Sequence, residues 1–192
     1  MRDKLIRVVF AAGGLLASSA LWAAGPTPAA MISNTCAGCH GTNGASVGPS
    51  SPIIGGEVQG YIAAEMKKFK SGQRPSTIMG RLAKAYSDDD FAAMDDFFSK
   101  QKFVRTKQAV DPAKVAQGKK LHEENCKKCH TDGGRDSEDA GVIAGQWKQY
   151  LQISLSEFEA GKRPMHKKMA EKIKALSKDD LDALVNFYAS QQ

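Results

Sequence analysis

Two small all-α domains in tandem are what this sequence predicts, and three observations carry that expectation. The pentapeptide Cys36-Ala37-Gly38-Cys39-His40 returns 90 residues on as Cys126-Lys127-Lys128-Cys129-His130. A whole unit repeats with it. Gly56, Tyr61, Phe69, Gly72, Arg74 and Pro75 recur 89 residues later as Gly145, Tyr150, Phe158, Gly161, Arg163 and Pro164, and Met79 and Ser87 recur 90 later as Met169 and Ser177. The apolar positions follow helical spacing, and no stretch alternates as a strand would. Single insertions and deletions account for the change of offset. The copies span about residues 26–104 and 110–192, joined by the segment 104–109.

Each element has a local reason. Asp111 is placed to cap a helix with Pro112 at its first position, and Val115, Ala116 and Leu121 lie along one face up to Cys126. In the first copy Pro26 and Pro28 leave room only for a shortened version. Glycine-rich loops follow at 41–56 and 131–145. Middle helices are expected over 61–71 and 150–160, each with a phenylalanine near its end. The last helices open at Ser87-Asp88-Asp89-Asp90 and Ser177-Lys178-Asp179-Asp180, where a serine cap precedes acidic side chains that suit the helix dipole. Phe91, Met94, Phe97 and Phe98, and later Leu181, Leu184, Val185 and Tyr188, then supply the buried faces.

The N-terminus has the form of an export signal over residues 1–24. Arg2, Lys4 and Arg7 precede an apolar run, 8–22, and the small residues Ala23, Ala24 and Gly25. The run is short of the roughly 20 apolar residues a membrane span needs, and Gly13, Gly14, Ser18 and Ser19 interrupt it. No later stretch could span a membrane, so the mature chain is expected in a bacterial periplasm. The leader holds +2 of the formal charge of +6, leaving +4 without a dense Lys/Arg run. That argues against nucleic acid and for a solvated surface with docking patches.

A Cys-x-x-Cys-His pentapeptide is the attachment signature of a c-type haem. Two thiols on one turn can add to the two vinyl groups of a single porphyrin, and the histidine that follows reaches the iron from one side. The chain spends all four cysteines on two such motifs: Cys36 and Cys39, Cys126 and Cys129. A zinc site would need closer pairs than the gap from Cys39 to Cys126 gives, a thioredoxin-type pair would need a preceding strand that neither motif has, and both zinc and two plain disulfides would leave two histidines at identical offsets without a role. Two covalent haems are therefore expected, with His40 and His130 as axial ligands. They would also provide much of the core that domains this small lack.

A downstream methionine is the usual second ligand in electron-transfer cytochromes, where it raises the potential. Met79 sits in a loop in this reading, eight residues before Ser87. Met169 precedes Ser177 by the same eight and is favoured over Met165, whose counterpart from the upstream side is Ser76. Met66 and Met94 are read as core. His122 is expected to face solvent or pack locally, and His166 to remain off the iron. The neighbourhood of Pro52 is placed to offer a carbonyl to Nδ1 of His40, as second shells do. Gly141 in the second loop leaves the same bond possible for His130. Trp147 and Tyr150 would either face a partner or line a haem crevice.

The chain resembles tandem dihaem class I-like cytochromes c, and among them the cytochrome subunit of flavocytochrome c, a periplasmic sulfide dehydrogenase. Residues 36–47, 69–72, 76–81, 144–147, 163–165, 167–170 and 187–192 carry the resemblance. It implies a heterodimer in which a flavoprotein subunit oxidises sulfide and passes single electrons to the haems here. These then go to a soluble cytochrome or similar acceptor. FAD is expected only in that partner, because no Gly-x-Gly-x-x-Gly follows a strand in this chain. The alternative is a free dihaem carrier donating to a terminal oxidase. A haem peroxidase would need an open iron, and a methionine in each copy argues against it. The chain by itself is then a conductor of electrons, with no catalytic residue.

Overall fold

The computed structural model describes residues 27–137 and 140–192; the expected export signal at 1–24 lies outside them. Among the described residues there are helices and loops and no strand, only an isolated bridge between Thr131 and Asp136. The first half holds α1 (Pro28–Ser33), α2 (Ala37–His40), α3 (Tyr61–Ser71), α4 (Met79–Ala83) and α5 (Asp88–Ser99). The second holds α6 (Pro112–Asn125), α7 (Lys148–Glu159), α8 (Lys167–Ala175) and α9 (Lys178–Ser190). No described helix is long and apolar enough to cross a membrane.

The helix ends follow from their side chains. Asp111 accepts from the backbone N–H groups of Ala113 and Lys114, and Pro112 needs no donor at the first position. Ser87 with Asp90, and Ser177 with Asp180, form two reciprocal capping boxes that open α5 and α9. In the first copy Thr27 caps the six-residue α1, whose direct continuation is a 3-10 turn into α2. Asp95, buried in α5, caps α3 from the side by accepting from Gly60, Ile62 and Ala63.

Each half has its own core. Ile62, Met66, Ala83, Phe91, Met94 and Phe98 fill the first; Leu151, Ile173, Leu181, Leu184, Val185, Phe187 and Tyr188 fill the second. Met66 and Met94 are core residues, as the sequence indicates. In the second half α6 lies directly against α9. A Cβ at Gly118 would stand 2.1 Å from the Ala183 carbonyl oxygen, so only glycine permits that approach.

The two halves are joined by a third apolar cluster, Ile53, Phe103 and Val142, flanked by Val58 and Trp147. Hydrogen bonds across the seam pair residues that the repeat makes equivalent. Arg74 donates to the Tyr150 hydroxyl at 3.0 Å, and Arg163 donates to the Tyr61 hydroxyl at 3.3 Å. Glu65 lies between the two guanidiniums and accepts from both, from Arg163 at 3.3 Å. Burial raises the Glu65 carboxyl, but Arg74, Arg163 and Lys68 outweigh burial and hold it below the usual range. Trp147 donates from its indole to the Ser46 carbonyl at 3.2 Å. Trp147 and Tyr150 thus tie one half to the other.

Candidate functional site

Each pentapeptide sits where a short helical turn ends against its core. Cys36 closes the 3-10 turn before α2, and α2 carries Cys39 and ends on His40. In the second copy α6 ends on Asn125, Cys126 is its cap, and Cys129 and His130 follow on a turn bonded back to Cys126. The first thiol of each pair is half-buried against the core and the second is exposed. All four are free, with no disulfide. Burial pushes the Cys36 and Cys126 thiols up, so both remain protonated at neutral pH. Gly41, at φ 73°, turns the chain sharply after His40, where a Cβ would lie 2.3 Å from the Ala45 carbonyl oxygen.

The two histidines are held differently. Nδ1 of His40 lies 2.9 Å from the Pro52 carbonyl oxygen, the bond the sequence placed there. With Nδ1 donating, Nε2 keeps its lone pair. His130 has no such partner; its buried Nδ1 is unpaired among the described residues. Burial lowers both imidazoles, and for His40 the Pro52 carbonyl opposes this. Both rings are therefore neutral at pH 7, the form that can coordinate a metal.

Met79, expected in a loop, is instead the first residue of α4, and Met169 lies in the first turn of α8. Local caps extend these helices further than composition suggests. The Ser76 hydroxyl accepts from Gly80 N–H at 2.7 Å, and the His166 ring accepts from Lys168 N–H at 3.2 Å. That bond occupies His166 at an exposed helix start, away from either core. Met79 is i, i+4 from the fully buried Ala83, and Met169 is i, i+4 from buried Ile173, so each methionine shares the core-facing stripe of its helix. Met165 also packs against the second core, ahead of α8.

His122 differs from the expectation of solvent or local packing. It is 1% exposed, with Nδ1 3.0 Å from the hydroxyl of Tyr188, 66 residues away on α9. The signal was present in the sequence: its repeat counterpart is Ile32, a core position.

These residues fit a covalently attached haem. Two free thiols, one turned to the core and one outward, stand beside a neutral imidazole, and a methionine borders the same core. The unpaired Nδ1 of His130 shows that the second ring is not otherwise engaged. The model for "Cytochrome c" matches residues 115–192. Cytochrome c4 of Pseudomonas aeruginosa is 30% identical over 175 residues, covering 85% of this chain and 84% of that protein. The chain belongs to the cytochrome c family. The crystal structure of reduced cytochrome c4 from Pseudomonas stutzeri superposes with a TM-score of 0.74 at 25% identity, covering 85% of this chain and 98% of that one. The cytochrome subunit of sulfide dehydrogenase from Chlorobaculum tepidum is 41% identical, but over 68 residues, 35% of this chain and 61% of that protein. The chain is thus a dihaem electron-transfer cytochrome built from two cytochrome c domains.

Proposed function

We propose that this protein is an exported dihaem carrier that takes single electrons from a dehydrogenase and delivers them to a soluble cytochrome or a terminal oxidase. In this reading residues 1–24 are the export signal and the mature chain is periplasmic. Residues 26–104 and 110–192 each hold one haem c. Cys36 and Cys39 would hold the first through thioethers and Cys126 and Cys129 the second, with His40 and Met79, and His130 and Met169, as the residues that would bind the irons. The haem supplies one-electron chemistry between ferric and ferrous iron. The protein orients the imidazoles, surrounds each ring with a dry core, and fixes the distance between the two.

The observation that carries this reading is the pair of turns that each set two free thiols beside a neutral imidazole and a core-facing methionine. The breadth of the likeness to cytochromes c4 favours a free carrier. The shorter, higher-identity match to a sulfide dehydrogenase subunit supports the second reading, a cytochrome subunit bound to a sulfide-oxidising flavoprotein that carries the FAD. The halves also offer different faces. Ile78 and Leu82, beside Met79, are 51% and 46% exposed, whereas the repeat sets Lys168 and Lys172 beside Met169. An apolar face suits a lasting contact and a lysine face suits brief contact with an acidic carrier.

Intact mass of the exported protein tests the core of this reading. Two haems retained through acid–acetone extraction are expected; one haem, or loss of both, overturns it. Mixing with sulfide separates the two partner readings. As a subunit, the chain stays oxidised with sulfide alone and is reduced quickly once the co-expressed flavoprotein is added. A chain that forms no complex with that flavoprotein is the free carrier.

A further inference from the structure

The seam between the halves sets a carboxyl and an amide at equivalent positions, Glu57 and Gln146. Gln146 is 1% exposed and grips Ile53 of the other half with both ends of its amide. Its Oε1 accepts from Ile53 N–H at 2.9 Å, and its Nε2 donates to the Ile53 carbonyl at 3.0 Å. Glu57, 5% exposed, repeats the first of these bonds from the opposite side: its Oε2 accepts from the N–H of Val142 at 2.7 Å. Val142 is the repeat counterpart of Ile53.

By analogy with Gln146, the other carboxyl oxygen of Glu57 would take the role of the Gln146 NH2, with the Val142 carbonyl as its acceptor. A carboxylate has no proton to offer there and would bring acceptor against acceptor in a buried place. A carboxylic acid has one, and completes the same two-bond grip. We propose that Glu57 is a proton-binding site at the seam, held as a neutral carboxylic acid that closes onto Val142, and that losing this proton to water loosens the two domains from each other.

The surrounding charges agree with the geometry. Burial is the largest influence and pushes the Glu57 carboxyl up to about 8. The charge of Glu65 on α3 acts in the same direction. The N–H groups of Val142 and Val58, and Arg163 beyond the end of α7, act against it without prevailing. The Tyr61 phenol, itself raised by burial, also faces this carboxyl. Arg74, with the Tyr150 hydroxyl bonded to it, and Lys68 are charged groups of the same seam, and both are paired to Glu65.

The sign of the pH effect follows. The folded protein keeps a proton that the unfolded chain releases around the ordinary value of 4.5, so this group opposes folding increasingly as pH rises from there to about 8. Over that window it lowers the folding equilibrium constant by about tenfold per pH unit, and its contribution is flat above.

The test uses the haem-loaded full chain and Glu57→Gln, which sets at 57 the amide already present at 146. In infrared difference spectra between about pH 6 and about pH 10, the wild type should lose a carbonyl band of a protonated carboxyl, and Glu57→Gln should show no such band. In denaturant unfolding, the ratio of the variant's folding constant to the wild type's should rise about tenfold per pH unit between about 5 and 7. A wild type without the band, a band that survives in Glu57→Gln, or two stability curves that run parallel with pH would each overturn the proposal. If Glu57→Gln does not accumulate, Glu57→Asp replaces it, and the band must then move in frequency. None of these readings depends on which partner supplies or takes the electrons.

Discussion

Replacing Glu65 with glutamine removes the one ionised carboxylate that both seam guanidiniums share. Glu65 is 6% exposed, and Arg74 and Arg163 are 7% and 8% exposed, so neither cation has water to fall back on. Taking one partner from a buried ion pair costs about 3–5 kcal/mol, because the other charge is left buried and uncompensated. Lys68, 2.7 Å away, has a side chain that is 36% exposed and adds only the ~0–1 kcal/mol of a surface pair. Glutamine keeps one acceptor oxygen but turns an NH2 toward a donor, so the loss should be about 3 kcal/mol, the lower end of that range. Urea unfolding of the haem-loaded protein at neutral pH measures it. Once the proposed export signal is removed with Trp22, Trp147 in the seam is the one tryptophan left. Its fluorescence should rise at lower urea than the haem absorbance changes. The repeat supplies a rescue: Ser154, buried with an unpaired hydroxyl, is the counterpart of Glu65. Glu65→Ser combined with Ser154→Glu moves the carboxylate across the seam and should recover more than half of the loss. The Glu65 carboxyl titrates below its ordinary value in the folded protein. Its stabilisation is therefore present above the unfolded value and disappears as pH falls through the lowered one. On that acidic side wild-type stability should drop more steeply than that of Glu65→Gln, which keeps only the losses of the other carboxylates, such as Asp90 and Asp180. A loss under about 1 kcal/mol, or a swap no better than the single change, would refute the shared-carboxylate account.

Two further outcomes follow from the helices. Gly118→Ala drives a methyl into the Ala183 carbonyl and the Phe187 side chain, and should lower stability by roughly 1–3 kcal/mol in a thermal melt read at the second domain. Met79→Ala and Met169→Ala should each remove about half of the near-infrared sulfur-to-iron band of the ferric protein, while Met165→Ala leaves it in place. If Met165→Ala removes the band and Met169→Ala does not, the ligand is the residue before α8.

Much of this protein is legible along the chain because its chemistry is local. Two thiols and an imidazole must occupy one turn to share one ring, so the haem sites proposed at Cys36, Cys39 and His40, and at Cys126, Cys129 and His130, can be read within five residues each. Caps are equally local, and Asp111, Ser87 and Ser177 open their helices where the sequence sets them. The repeat, read as an offset of 89–90 residues, established two like halves before any contact was known.

The seam could be settled only in three dimensions. Nothing near Arg74 in sequence points to Tyr150, 76 residues on, or near Trp147 to Ser46, 101 residues back. For His122 the repeat counterpart Ile32 points inward, but its partner, Tyr188 of α9, is 66 residues on and is set only by the packing of α6 on α9. Hydrogen-bond partners at that separation depend on how two finished domains face each other, and helical periodicity and capping do not encode that. What the amino-acid order alone determined is a pair of haem-binding helical units. Only the tertiary structure decided how they are held together, because it brings Arg74 and Arg163 to Glu65, which they hold ionised against burial, and sets the buried Glu57 against Val142 of the other half.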